Sequence, residues 1–176
     1  MIDKFKYSDK EIEAIVKSMV IIVDTREKAN EHIIAAFEKN KIAYITKALE
    51  RCDYSFYIPQ NNSFDIPRDL YFDKEVAIER KASLDELANN WTKERDRFEK
   101  EMALAPKTKV LLLENTSYDD IINGNYRSQY NKKAFLATLH TFWFRYNIPF
   151  MFMPKKQHSA LFIKKYFEYY LKEYLR

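Results

Sequence analysis

The chain has 176 residues and a single glycine, which excludes glycine-rich phosphate loops and dinucleotide-binding turns, because each needs at least two glycines at fixed spacing. A single cysteine, Cys52, excludes a disulfide framework and a cysteine-rich zinc site. The formal charge of +4 permits a polyanionic partner but does not require one. No apolar run approaches the roughly 20 residues of a membrane span, and the N-terminus lacks the apolar core of a signal peptide. We therefore expect a cytoplasmic protein that makes no membrane contact.

The N-terminal half predicts two helices and four strands. Ser8 followed by Glu11 forms a capping box and predicts a first helix. The run at 19–23 is short, apolar and rich in β-branched residues, which is typical of a buried strand. Helical spacing follows at 29–39, and further strands are predicted at 42–49, 53–58 and 70–78. Proline, asparagine and aspartate between the last two strands favour a β-hairpin.

The C-terminal half predicts further helices that alternate with two strands. Helices are predicted at 83–90, 91–105, 131–146 and 159–174, with a turn or short helix at 117–125. Strands are predicted at 109–114 and 149–153. A sheet that contains a hairpin and is flanked by helices indicates an α/β or α+β sandwich. We expect one domain over residues 1–176, with residues 1–18 as a helical N-terminal extension.

Acidic residues stand where predicted strands begin or end. Asp24 follows the first strand, Asp53 begins the third, and Glu79 closes the fourth. Side chains alternate along a strand, so Glu79 and Lys81 point to the same side. Carboxylates bind Mg²⁺, which activates water and neutralises charge at a phosphate. A neighbouring lysine can orient that water, act as a base or stabilise developing charge. The alternative interpretation of each acid is a solvated strand end or turn.

The ordered set of motifs resembles XPF-type structure-specific endonuclease domains of the PD-(D/E)xK superfamily. The family pattern V-D-x-R-E is matched by Val23 to Glu27, G-D-Y by Cys52 to Tyr54, and E-R-K-x-x-x-D by Glu79 to Asp85. The resemblance covers residues 18–176. It implies an α/β, restriction-endonuclease-like fold with a central mixed β-sheet flanked by helices. It also implies a Mg²⁺- or Mn²⁺-dependent endonuclease that cuts branched DNA, such as flaps, forks or junctions, in recombination, repair or replication.

The resemblance assigns roles residue by residue. The implied catalytic residues are Asp24, Glu27, Asp53, Glu79 and Lys81. The implied metal ligands are Asp53, Glu79, the Arg80 carbonyl and Asp24. The implied supporting residues are Arg26, Arg80 and Asp85.

The chain departs from the family pattern in two respects. Cys52 stands where the family has glycine, which puts the local geometry of Asp53 in question. The helix-hairpin-helix module usual in the family is also not expected, because the chain lacks its glycines. Two alternatives stay open: a catalytically weak or inactive member that binds DNA or a partner protein, and a dimeric Holliday-junction resolvase. The compact architecture suggests a bacterial or phage-encoded protein.

Two segments are candidate DNA contacts. The first is a charged helix with Arg95 and Arg97. The second is a basic, tyrosine-containing segment without acids, a composition that suits stacking on bases and contact with phosphates. Its candidate residues are Tyr126, Arg127, Tyr130, Lys132 and Lys133. Aromatic residues around the last helix exceed one face, and with the resemblance they predict a homodimer formed through the C-terminal helices.

Overall fold

The computed structural model describes residues 6–176 and contains a seven-stranded mixed sheet. The strand order is β2-β1-β3-β5-β6-β7, and β4 pairs with β3 outside this path. The central pairs β1–β3 and β3–β5 are antiparallel, whereas β1–β2, β5–β6 and β6–β7 are parallel. The strands are β1 (Val20–Val23), β2 (Tyr44–Thr46), β3 (Tyr54–Ile58), β4 (Leu70–Tyr71), β5 (Val76–Lys81), β6 (Thr108–Glu114) and β7 (Phe150–Met153).

Helices cover both faces of this sheet. They are α1 (Asp9–Ser18), α2 (Glu31–Lys39), α3 (Leu84–Thr92), α4 (Arg95–Leu104), α5 (Tyr118–Asn123), α6 (Lys132–Tyr146) and α7 (Ser159–Leu175), with short 3₁₀ turns at Asn62–Phe64 and Lys156–His158. Helices α1, α2 and α7 enclose one core with Tyr54, Phe56 and Ile78. Helices α3 to α6 enclose the second core, in which Ala77 packs with Trp91.

Strand β5 lies in the middle of this sandwich, and all six of its residues are buried. Val76 and Ile78 face the first core, and Ala77 faces the second. The alternation continues beyond the apolar residues, so Arg80 points toward the first side and Glu79 and Lys81 toward the second. Three charged residues in succession are thereby buried at the end of a central strand, where each requires an opposite charge.

The predicted fold class is confirmed: a central mixed sheet lies between helices. The hairpin is present as β3–β4, with Tyr57 opposite Tyr71. Three predicted boundaries are wrong. The strand predicted at 70–78 is interrupted by a turn in which Glu75 N–H donates to Phe72 O at 2.9 Å, because three successive charged residues break the alternation. The strand predicted at 42–49 shrinks to β2, and Trp91 belongs to α3, since its indole is buried against Phe135.

The predicted N-terminal extension divides into two parts. Residues 1–5 lie outside the described part of the chain. The remainder contains α1, whose Ile12, Ile15 and Val16 are buried in the first core and whose side packs on α7. Within residues 6–176, no helix combines the length and apolar character needed to cross a bilayer.

Candidate active site

Asp53 lies between two neighbouring strands at the edge where the acidic residues meet. Its backbone N–H donates to Ile78 O at 3.0 Å, and its carbonyl accepts from Asp24 N–H at 2.8 Å. Its carboxylate Oδ2 accepts the N–H of Arg80 at 2.7 Å. The ends of β1, β3 and β5 are thus tied together through this one residue. The sheet fixes the position of the Asp53 carboxylate.

Glu79 and Lys81 share one side of β5, as the alternation predicts. The Lys81 Nζ lies 2.8 Å from Glu79 Oε1, and both side chains are almost fully buried. Glu86, at the start of α3, lies farther from the same ammonium, at 3.8 Å. The lysine therefore sits among carboxylates in a partly dehydrated site, where charge interactions are stronger than in water.

Arg80 links the site to the opposite side of the sheet. Its guanidinium donates to Glu27 Oε1 at 2.6 Å, to Ala29 O at 2.8 Å and to Glu114 Oε2 at 2.7 Å. Glu114 is fully buried, and its other oxygen lies 2.9 Å from His32 Nε2. One arginine thereby positions Glu27 by its side chain and Asp53 by its backbone.

Asp24 is buried at the end of β1, and its carboxylate is directed to Arg26. It accepts the Arg26 backbone N–H at 3.0 Å and two guanidinium N–H groups of the same residue. Arg26 also donates to Leu49 O at 2.9 Å. Asp24 does not line the cleft described next. This pairing holds the 24–27 turn and Arg26 in place, and the assignment of Asp24 as a metal ligand stays a prediction.

These residues surround a cleft of about 260 Å³. It is lined by seven carboxylates and five cationic side chains, with Cys52, Asn90 and Phe98. The carboxylates are Glu27, Glu50, Asp53, Glu79, Glu86, Glu94 and Glu101, and the cations are Arg26, Arg51, Arg80, Lys81 and Arg97. Bringing this many charged side chains together costs desolvation free energy. Such clusters are found preferentially at functional sites.

The cleft perturbs the protonation of its members. Burial, with the negative charges of Glu79 and Glu27, raises the pKa of Asp53 well above its usual value. Burial also raises the pKa of Glu27, although Arg80 opposes that shift. Burial alone would lower the pKa of Lys81, but Glu79 and Asp53 outweigh it and raise this pKa above its usual value.

The donor set of the cleft fits a hard divalent cation. Asp53 and Glu79 supply carboxylate oxygens from two adjacent strands, and Asn90 Oδ1 is a buried oxygen of the same cleft without a hydrogen-bond partner. Mg²⁺ is commonly held by one or two carboxylates, with waters and phosphate oxygens completing its shell. Within the described residues, no group of three or more His, Cys, Asp or Glu is placed to hold an ion.

Cys52 occupies the position of the family glycine with a backbone φ of +63°. A side chain in this left-handed region costs roughly 1–2 kcal/mol, so glycine would suit the position better. The thiol is buried, and burial together with nearby Glu79 raises its pKa well above the usual value. Cysteine in place of the family glycine thus strains the backbone, but Asp53 is still hydrogen-bonded to both neighbouring strands.

Asp85 lies away from the acids. Its Oδ1 accepts the backbone N–H groups of Arg127 at 2.8 Å and Ser128 at 2.7 Å. The structure therefore connects the last residue of the E-R-K-x-x-x-D motif to the loop after α5, and its support of the acids stays a prediction.

The proposed DNA contacts differ in their exposure. Arg127 has 93% of its side chain exposed, and Lys132 and Lys133 are also exposed. The Tyr126 ring packs on Phe135 and its hydroxyl donates to Tyr130 O at 2.8 Å. The Tyr130 ring packs on the same phenylalanine, and its hydroxyl lies 2.6 Å from Thr138 Oγ1. Both rings are partly buried against the second core, and their stacking on bases stays a prediction.

The two arginines of α4 lie on its surface. Arg97 is at the rim of the cleft and is paired with Glu101 at 3.2 Å. Arg95 is paired with Glu99 at 2.8 Å, and it does not line the cleft.

Sequence reasoning missed several members of the site. Glu86 is not among the predicted site residues, yet it lines the cleft and accepts the N–H of Ala82 at 2.8 Å. Glu114 follows an apolar strand in the same way as Asp24 and Glu79. This position at a strand end was a sufficient signal to name Glu114 as a candidate site residue. No sequence signal places His32 beside Glu114, because 82 residues separate them.

The mixed sheet, with acids and a lysine at its central strand ends, defines a domain of the restriction-endonuclease-like class. Residues 23–166 match the model of the ERCC4 domain, and the chain belongs to that family. No curated protein sequence matches the chain significantly.

Solved structures with the same fold include two of XPF from Aeropyrum pernix, one of them a complex with DNA. The first matches with a TM-score of 0.59 and 18% identity over 86% of this chain and 61% of that one. The DNA complex matches with a TM-score of 0.61 and 18% identity over 88% and 66%. The present chain thus spans less than two thirds of either relative.

Proposed function

We propose that the protein is a divalent-metal-dependent DNA endonuclease that hydrolyses phosphodiester bonds in branched DNA. The observation that carries the proposal is the meeting of Asp53, Glu79 and Lys81 in one cleft at the end of the sheet. Membership of the ERCC4 domain family supports nuclease chemistry, and the solved complex of an XPF with DNA supports DNA as the substrate.

Five residues of the cleft have a role in this proposal. Asp53, Glu79 and the Arg80 carbonyl would hold Mg²⁺ or Mn²⁺, which when bound lowers the pKa of water and neutralises phosphate charge. Lys81, whose Nζ lies 2.8 Å from Glu79 Oε1, orients the attacking water and stabilises negative charge on the phosphate. Glu27 lines the cleft, accepts a hydrogen bond from Arg80 and adds another carboxylate to the site.

The test is cleavage of labelled fork, flap, four-way junction and plain duplex DNA with Mg²⁺ or Mn²⁺. We expect the wild type to cut branched molecules faster than duplex. Asp53→Asn, Glu79→Gln and Lys81→Ala should each lower the rate by at least about 100-fold, the loss seen when an electrostatic stabiliser of a transition state is removed. The matched control is Glu168→Gln on α7, a carboxylate that holds two surface lysines. An active wild type unaffected by all three site variants contradicts the proposal.

The backbone strain at Cys52 favours a second candidate, a non-catalytic member of the family that binds DNA or a protein. In this case isothermal titration detects no Mg²⁺ or Mn²⁺ binding, while DNA affinity is intact. A Cys52→Gly variant that gains cleavage where the wild type has none would show that the substitution inactivated the site.

We also propose a homodimer formed through α6 and α7. Phe144 on α6 is 83% exposed, and Leu161 and Tyr169 on α7 are 57% and 60% exposed. Tyr169 also lines a largely aromatic groove with Phe162, Tyr166 and Tyr170, and contiguous exposed apolar patches mark protein–protein contacts. Light scattering should give a dimer that Leu161→Glu or Tyr169→Glu converts to a monomer, whereas Ile122→Glu on α5 should not. A monomeric wild type at about 50 μM, well above the μM dissociation constants of transient complexes, contradicts it.

A further inference from the structure

The loop between α5 and α6 is anchored from a distance by one carboxylate. Asp85, in the first turn of α3, accepts the N–H groups of Arg127 and Ser128 on the same oxygen, Oδ1. Its other oxygen accepts Arg127 Nε at 3.3 Å. More than 40 residues separate the partners, so Asp85 connects two segments that are distant along the chain.

The loop has a defined structure of its own. It begins after Gly124, which takes a φ of +75° at the end of α5. The hydroxyl of Tyr126 closes it by donating to Tyr130 O, and Asn131 caps the start of α6. The Arg127 side chain is 93% exposed, although its Nε donates to Asp85 Oδ2. The framework thus presents one arginine to solvent from a fixed backbone.

An open groove of about 740 Å³ lies between this loop and α3. It is lined by Asp85, Asn89, Thr92, Lys93, Arg127, Ser128, Gln129 and Tyr130. Two of these residues are cations and one is an acid, and that acid is already engaged by the loop. Amide and hydroxyl side chains supply most of the remaining lining. Cations among neutral hydrogen-bond donors are the composition that contacts nucleic-acid phosphates.

Helix α3 separates the groove from the catalytic cleft. Glu86 and Asn90 line the cleft, whereas Asp85, Asn89 and Lys93 line the groove. Consecutive residues of a helix are about 100° apart around its axis, so the cleft and the groove lie on neighbouring sides of α3. One DNA molecule can therefore contact both.

We propose that this groove binds the sugar–phosphate backbone of a DNA strand, with Arg127 and Lys93 at the phosphates and Asp85 as the positioning residue for the loop. The inference rests on the DNA-binding part of the proposed function and adds an assignment for the last acid of the E-R-K-x-x-x-D motif. Asp85 acts through the geometry of the loop and does not touch the metal or the scissile phosphate.

The charge of Asp85 makes the proposal sharply testable. Removing an acid beside a polyanion normally strengthens binding. If Asp85 positions Arg127, then Asp85→Ala weakens binding, because the loop loses its anchor. Asp85→Asn retains the oxygen that accepts both backbone N–H groups and should therefore preserve binding. The matched control is Asp119→Ala, which removes an exposed acid on α5 and should leave binding unchanged or strengthen it.

The experiment measures dissociation constants for a fluorescent fork by anisotropy, in EDTA to prevent cleavage, over a series of salt concentrations. Loss of one phosphate contact reduces the slope of log K against log salt by about 0.9, which corresponds to about eightfold weaker binding at 0.1 M salt. We expect this change for Arg127→Ala and weakening of at least threefold for Asp85→Ala. Trypsin cleavage after Arg127 should accelerate in Asp85→Ala and stay unchanged in Asp85→Asn.

The outcomes separate the two proposals. The inference is overturned if Asp85→Ala binds as tightly as the wild type or more tightly, or if Arg127→Ala leaves the salt slope unchanged. It stands, and the nuclease proposal fails, if the binding effects appear but the wild type cuts no DNA. A wild type that neither binds nor cuts DNA overturns both. With an active wild type, Asp85→Ala should retain the cleavage rate at saturating DNA and raise only the DNA concentration needed.

Discussion

Replacing Arg80 with methionine is the substitution that most directly probes how the site is held together. The Arg80 side chain is 4% exposed and bridges Glu27 and Glu114, whose side chains are 11% and 0% exposed. Removing one partner of a buried pair costs about 3–5 kcal/mol, because the other charge is left unpaired. Glu114 would keep its contact with His32 but lose the buried positive charge of the arginine. We therefore expect Arg80→Met to lower the free energy of unfolding by about 4 kcal/mol.

Urea unfolding followed by circular dichroism measures this loss, and a thermal scan should show a melting temperature lower by about 8–16 °C for a domain of this size. The double variant Arg80→Met/Glu114→Met should be less destabilised than the sum of the single variants by about 2 kcal/mol, because it removes the unpaired charge as well. Arg95→Met, whose pair with Glu99 is exposed, is the control and should change stability by less than about 0.5 kcal/mol. Additive losses, or an Arg80 variant as stable as the control, would refute this reasoning.

Three further predictions concern the cleft and the loop. Burial opposes ionisation of Glu114, but hydrogen bonding from Arg80 outweighs it and holds the pKa below the usual 4.5. Glu114 therefore stabilises the fold above pH 4.5 and loses this effect as the pH falls through its lower folded-state pKa. The stability difference between wild type and Glu114→Gln should shrink between pH 7 and pH 3; a constant difference contradicts this. Because burial raises the pKa of the Cys52 thiol, a disulfide reagent at pH 8 should label it in urea and not in the native protein. Tyr126→Phe should cost about 1 kcal/mol through the lost hydrogen bond to Tyr130, measured by urea titration, and an unchanged midpoint would show that this bond contributes nothing.

Local sequence patterns were sufficient where one strand or one turn decides the outcome. The alternation along β5 correctly predicts that Glu79 and Lys81 point to the same side, and the two carry an ion pair. The capping boxes at Ser8 and the turn residues of the hairpin predict their elements, because these signals act within a few residues. The boundary between α3 and α4 was missed since Trp91 is placed by tertiary packing against Phe135 and Phe142.

Contacts between segments that are distant along the chain could not be predicted from sequence patterns. Asp24 follows an apolar strand just as Glu79 does, yet its carboxylate accepts hydrogen bonds from Arg26, two residues away. The pairing of Asp85 with the loop spans more than 40 residues and depends on how α3 packs on the second core. Tyr126 and Tyr130 have the composition of an exposed nucleic-acid contact, but their rings complete the packing around Phe135.

The central claim is that Asp53 and Glu79 form one metal-binding cleft. The most direct measurement is anomalous diffraction from crystals soaked in Mn²⁺, compared with crystals of Asp53→Asn. If both carboxylates bind one ion, the wild type shows one anomalous peak within bonding distance of both, and the variant loses this peak. A peak elsewhere in the molecule, or none at millimolar Mn²⁺, would contradict it.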